Sequence, residues 1–115
     1  AAQRISFMSQ EEVLRRIRSS DTGITLLDVR ERDSFQRSHI PAAILIPRGQ
    51  LELRVNELLP DPTARIVVYC QFGKISTLAA ATLRDMGFTR AIAMEQGMET
   101  WLEKGYPTSD GIVDR

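Results

Sequence analysis

The chain of 115 residues holds a single cysteine, Cys70, and a single histidine, His39. One cysteine cannot close an internal disulfide or form a Cys-x-x-Cys redox pair, and with one histidine beside it no zinc cluster of thiolates and imidazoles can be assembled. No metal site and no cofactor are expected. An excess of charge is missing too, because 15 Lys and Arg offset 15 Asp and Glu. Such a neutral chain offers no broad basic face, so neither nucleic acid nor an anionic membrane surface is an expected partner. The partner should be a small molecule or a protein. Aromatic residues are few, at 6%, yet a hydrophobic fraction of 43% is ordinary for a folded domain and far too high for a disordered one. The longest apolar runs, around IVVY and LAAA, fall well short of the ~20 residues needed to cross a bilayer. AAQRISF, at the start, has neither the charged segment nor the apolar stretch of a signal peptide. With the unpaired cysteine, these features suggest a cytoplasmic monomer.

The length suits one domain with one core, residues 1–115, in which residues 1–4 and 108–115 are polar enough to fray. Ser9 followed by Glu12 forms a capping-box pattern, and Val13, Leu14 and Ile17 recur at helical spacing, predicting a helix over 9–19 that Ser19, Ser20, Asp21 and Gly23 end. Residues 24–29 read as a buried strand, ERDSFQRS as a short helix, and AAILI, between Pro41 and Pro47, as a second short strand. Leu51, Val55, Leu58 and Leu59 mark a helix over 50–59. The clearest strand is Ile66–Tyr69, apolar and mostly β-branched, the pattern of a strand covered on both faces. Ile75, Leu78, Ala79, Leu83 and Met86 then mark a helix that Gly87 ends, followed by a strand, AIAM, and a helix containing Met98, Trp101 and Leu102. Alternating strands and helices predict an α/β fold with a parallel sheet and helices on both faces.

Cys70 falls at the end of the clearest strand. In open parallel sheets, ligands bind beyond the carboxyl ends of the strands. The residues that follow, Gln71-Phe72-Gly73-Lys74-Ile75-Ser76, contain a glycine that allows a tight turn straight into a helix. Inward N–H groups and the positive end of that helix would stabilise a thiolate, or any anion attached to its sulfur. The plainer alternative is a small apolar filler, since cysteine is among the most buried residue types.

Three segments resemble one family. LLDVRERDSFQRSHIPAAILIP resembles the first signature of the rhodanese-homology domains, D-V-R-x-x-x-E-[FY]-x-x-G-H-I-P-G-A. YCQFGKIS resembles their active-site loop, C-x-x-G-x-R-S, and MEQGMETWLEKGYP their closing G-G-x-x-x-W-x-x-x-G-x-P. Each is weak alone, but three in order at domain-scale spacing are specific. The resemblance implies a rhodanese-like, five-stranded, mainly parallel sheet with helices on both faces, in a single-domain sulfurtransferase. Cys70 would take a sulfane sulfur from thiosulfate or a persulfide, hold it as a persulfide over the Gln71–Ser76 loop, and pass it to a thiophilic acceptor. Donor or acceptor would be a small sulfur compound, or a protein bearing a thiol or persulfide.

Departures from the pattern sharpen this expectation. The family's Arg before the Ser is Ile75 here, which removes a bidentate clamp for an oxyanion. Lys74, one position earlier, is only a point charge, so weak thiosulfate activity and a different donor are expected. The same replacement keeps alive a second possibility, a non-catalytic interaction or regulatory module. Phosphatases of related fold need Arg six positions after the cysteine, where this chain has Ser76. Asp28 and Arg30 would support the pocket structurally or lend it positive potential. His39 is expected to bond turn backbone rather than act as a base, Trp101 to pack in the core, and Phe72 to limit the acceptor at the pocket mouth. Glycine stands in the family where this chain has Ser38 and Ala43.

Overall fold

The computed structural model describes residues 4–19 and 23–111. In chain order the elements are β1 (Phe7–Met8), α1 (Gln10–Arg18), β2 (Thr25–Asp28), α2 (Arg32–Arg37), β3 (Ile44–Leu45), a 3-10 turn (Arg48–Gln50) leading into α3 (Leu51–Leu58), β4 (Ile66–Tyr69), α4 (Lys74–Asp85), β5 (Ile92–Met94) and α5 (Met98–Glu103). The strands form one sheet in the order β1-β5-β4-β2-β3, and every pairing is parallel. A parallel sheet needs cover on both faces, and the strands supply it by alternation. Leu27, Val68 and Cys70 turn toward α3 and α4, whereas Leu26, Val67 and Tyr69 turn toward α1 and α5, where Trp101 is fully buried.

Local signals set the element ends. Ser9 Oγ accepts the Glu12 N–H at 3.1 Å and caps α1. Past α4, Gly87 takes φ 106° and the Phe88 N–H reaches back to the Leu83 carbonyl at 2.9 Å, closing the helix. Ser20 and Asp21, read as helix terminators, lie outside the described residues, as do residues 1–3 and 112–115 at the two ends.

Some expectations change. The strand drawn over AAILI shrinks to Ile44–Leu45, and β1, unread in the sequence, pairs with β5 as an edge strand of two residues. Thr108–Gly111, expected to fray, are tied down: His39 and Ser109 exchange backbone hydrogen bonds at 2.9 Å, and the Gly111 N–H donates to the Gln36 carbonyl at 2.8 Å. The left-handed position that favours glycine is Ala42, at φ 70°, not Ala43.

Candidate active site

The central strand β4 carries Cys70 to the carboxyl edge of the sheet, between β2 and β5. Its side chain is 3% exposed. The sulfur accepts the backbone N–H groups of Gly73 at 3.1 Å and Ser76 at 3.2 Å, and the thiol donates to Ser76 Oγ at 3.3 Å. Ser76 Oγ and the Thr77 hydroxyl both donate to the Gly73 carbonyl, at 3.1 and 2.7 Å, which fixes the turn from loop to helix.

The first four N–H groups of an α-helix have no acceptor within it. In α4 they belong to Gly73, Lys74, Ile75 and Ser76, because the first ladder bond runs from the Thr77 N–H to the Gly73 carbonyl. Two of the four hold the sulfur. Those of Lys74 and Ile75 have no helical acceptor, and the positive end of the helix favours an anion beside them.

A second loop braces the first. The carbonyls of Cys70 and Gln71 accept the N–H groups of Met98 and Glu99, at the start of α5, at 2.9 and 3.1 Å. Since N–H and C=O point opposite ways across a trans peptide, the amides of Gln71 and Phe72 therefore face away from α5. The two loops touch without side chains between them. A Cβ on Gly97 would lie 2.3 Å from the Gln71 carbonyl oxygen, and one on Gly73, at φ 109°, would lie 2.7 Å from that of Gln96. Gln96 itself sits at φ 58°, on the first glycine of the family's closing motif.

Asp28 and Arg30 lie at the end of β2 and form a buried pair. Arg30 Nε reaches both carboxylate oxygens of Asp28 at 3.1 Å and its Nη2 reaches Oδ2 at 2.8 Å. The same guanidinium donates to the Ser38 carbonyl at 2.7 Å and to Gln71 Oε1 at 3.3 Å. Burial pulls the Arg30 pKa down, but the Asp28 hydrogen bonds and charge outweigh it and leave the group above its ordinary value. With its side chain 7% exposed and its donors engaged, Arg30 has little left for a ligand. Its link to the cysteine loop is the bond to Gln71.

His39 is turned to backbone. Its Nδ1 donates to the Phe35 carbonyl at 2.8 Å and its ring stacks on Phe35 with centroids 3.7 Å apart. Among the described residues it makes no hydrogen bond to Cys70, so the site holds no Cys-His dyad. Trp101 Nε1 donates to the Pro107 carbonyl at 2.9 Å, on the sheet face away from the sulfur. Phe72 is 68% exposed, Ile75 51% and Leu78 66%, so apolar side chains surround the cysteine loop, and Lys74 is the exposed cation among them. No group of three His, Cys, Asp or Glu able to hold a metal ion occurs among the described residues. Likewise, no helix there is long and apolar enough to cross a membrane.

A parallel five-stranded sheet with a cysteine cradled at the end of its central strand is the architecture of the rhodanese-like domains. The family model for the rhodanese-like domain matches residues 9–104, and the chain belongs to that family. It is 38% identical over 85 residues to the putative sulfur carrier protein YrkF of Bacillus subtilis, covering 74% of this chain and 45% of that protein. It is 32% identical over 87 residues to the thiosulfate sulfurtransferase GlpE of Coxiella burnetii, covering 76% and 78%. A solved protein of unknown function from Rhodopseudomonas palustris, described as a possible tyrosine phosphatase, superposes with a TM-score of 0.81 at 27% identity, over 91% of this chain and 85% of that one. The chain spans about half the length of several relatives it matches.

Proposed function

We propose that the chain is a sulfurtransferase in which Cys70 carries a sulfane sulfur. The single observation behind this is the pair of backbone N–H groups, from Gly73 and Ser76, aimed at Cys70 Sγ from the start of α4. Such fixed donors stabilise negative charge on sulfur without reorganising. The Cys70 thiolate attacks the outer sulfur of a donor R–S–S⁻. A Cys70–S–S⁻ persulfide forms, the donor's S–S bond breaks, and R–S⁻ leaves and takes a proton from water. A thiolate acceptor then attacks the outer sulfur, breaks the Cys70 S–S bond and restores the Cys70 thiolate. With thiosulfate as donor, the leaving group is sulfite. The Lys74 and Ile75 amides are the donors free to meet the outer sulfur, while Gln71 and Phe72 shape the loop.

Donor choice follows from what surrounds the loop. A planar cationic clamp grips an oxyanion in both position and orientation, yet Ile75 stands where the family has its arginine and Arg30 is spent on Asp28, Ser38 and Gln71. Phe72, Ile75 and Leu78 instead offer exposed apolar surface, which favours a persulfide or thiol carried on a protein. A phosphate is disfavoured on the same grounds, because Ser76 stands where a phosphatase of this fold needs its arginine. The test compares sulfur delivered to cyanide, read as thiocyanate, from thiosulfate and from a cysteine persulfide on a protein. Higher kcat/KM with the persulfide, absent in Cys70→Ser, supports the proposal. No thiocyanate from either donor would favour the non-catalytic module.

A further inference from the structure

Gln10 is the first residue of α1 and is 1% exposed, one of the few buried polar residues among those described, with Asp28, His39 and Ser76. A fully buried amide at that position needs a reason, since burying it without partners is costly. Its Nε2 donates to two backbone carbonyls, Glu95 at 3.1 Å and Gly97 at 2.9 Å, while its Oε1 has no partner. Both N–H bonds are thus committed to the ends of a single three-residue turn, Glu95–Gly97. That turn is the one pressed against the cysteine loop, with the Gln96 carbonyl under Gly73 and Gly97 under Gln71. It also opens α5, whose Met98 and Glu99 N–H groups hold the carbonyls of Cys70 and Gln71. Strand pairing brings Gln10 there: the Glu95 N–H donates to the Met8 carbonyl at 2.8 Å, two residues before Gln10.

We propose that Gln10 is a positioning residue for the cysteine loop, acting through the Glu95–Gly97 turn. Among the described residues it makes no hydrogen bond to the sulfur. Its two N–H groups hold the turn, the turn holds the start of α5, and α5 fixes the carbonyls whose orientation turns the loop amides away from it. Gln96, at φ 58°, occupies the left-handed region that a non-glycine residue adopts at a cost, which an outside tether helps to offset. This role in transfer rests on the sulfurtransferase reading, but the tether itself does not.

The test replaces Gln10 by Met, which keeps the length and apolar packing but removes both donors, and compares it with Val13→Ala, a core deletion on the same helix. Amide hydrogen exchange is followed at Met98, Glu99, Gly73 and Ser76 and corrected for each variant's global stability. The expected result is at least tenfold faster exchange at these four amides in Gln10→Met and no such local gain in Val13→Ala. In transfer assays, kcat falls about tenfold with KM nearly unchanged. Exchange unchanged in Gln10→Met, or raised equally in both variants, would overturn the proposal. Should Gln10→Met fail to fold, the wild-type Gln10 side-chain amide is followed directly. Exchange as slow as at Met98 and Glu99 supports the tether, and much faster exchange overturns it. A protein that carries no sulfur yet shows the expected exchange pattern would fail the functional proposal and keep the tether.

Discussion

The backbone N–H of Met98 donates to the carbonyl of Cys70 at 2.9 Å, so the start of α5 grips the residue just past the central strand. The cysteine loop is therefore not held by its own sequence alone. Its shape is set from across a contact in which Gly97 lies against the Gln71 carbonyl, with no room for a methyl group.

Gly97→Ala tests that contact. Its φ is near −164°, a conformation any residue adopts, so the effect is one of space and not of backbone strain. A Cβ 2.3 Å from a carbonyl oxygen forces the two loops apart, and overpacking of this kind costs about 1–3 kcal/mol. Urea denaturation should show that loss, and cyanide-labile sulfur on the variant should fall by tenfold or more. Wild-type loading in a destabilised protein would separate the contact from the chemistry.

Ile75→Arg should act in the opposite direction. The side chain is half exposed at the second position of α4, so the change should move stability by no more than about 0.5 kcal/mol. A guanidinium there would supply the oxyanion clamp that the sulfurtransferase reading finds missing, and kcat/KM for thiosulfate should rise severalfold while that for a protein persulfide falls. Steady-state assays with both donors check the pair of changes.

Asp28→Ala leaves the Arg30 guanidinium buried without its carboxylate, the situation that typically costs about 3–5 kcal/mol. Thermal unfolding should shift down accordingly. Because Arg30 also holds Gln71 Oε1, the Gln71 side chain should lose order by NMR in the surviving folded protein.

The pH dependence of stability should reveal Tyr69. Burial first, then the charge of Asp28, raises its pKa well above the ordinary value, while its hydroxyl oxygen accepts the Ile40 N–H. An acid whose folded pKa is raised contributes stability that is complete below the unfolded pKa of about 10 and is lost as pH rises beyond it. Urea midpoints should therefore fall more steeply above about pH 10 in the wild type than in Tyr69→Phe, and equal slopes would contradict this assignment.

Much of this was legible in the residues. Ile66–Tyr69 show a doubly covered strand by composition alone, and β4 has those bounds. Ser9 and Gly87 mark helix ends because capping is local chemistry. The placement of Cys70 between a strand and a glycine turn is legible too, since β4 ends just before it and Gly73 opens α4. The missing parts are those that distant contacts decide. Phe7–Met8 is too short to show a period and becomes a strand only by pairing with β5. The fraying expected from composition does not hold for Thr108–Gly111, where the His39–Ser109 bridge and the Gly111–Gln36 bond override it. Gln10 reads in sequence as an ordinary first-turn polar residue, since its partners lie more than eighty positions away. The bracing by Met98 and Glu99 leaves no side-chain signature, because backbone groups carry it. The glycine pair of the family's closing motif was the one available hint, and here Gln96 occupies half of it.

The most direct measurement is intact mass spectrometry of the protein after incubation with a persulfide donor and removal of excess reagent. The wild type should gain one sulfur atom that cyanide removes, and Cys70→Ser should gain none. An unchanged wild-type mass with every donor, or the same gain in Cys70→Ser, would contradict Cys70 as the sulfur carrier.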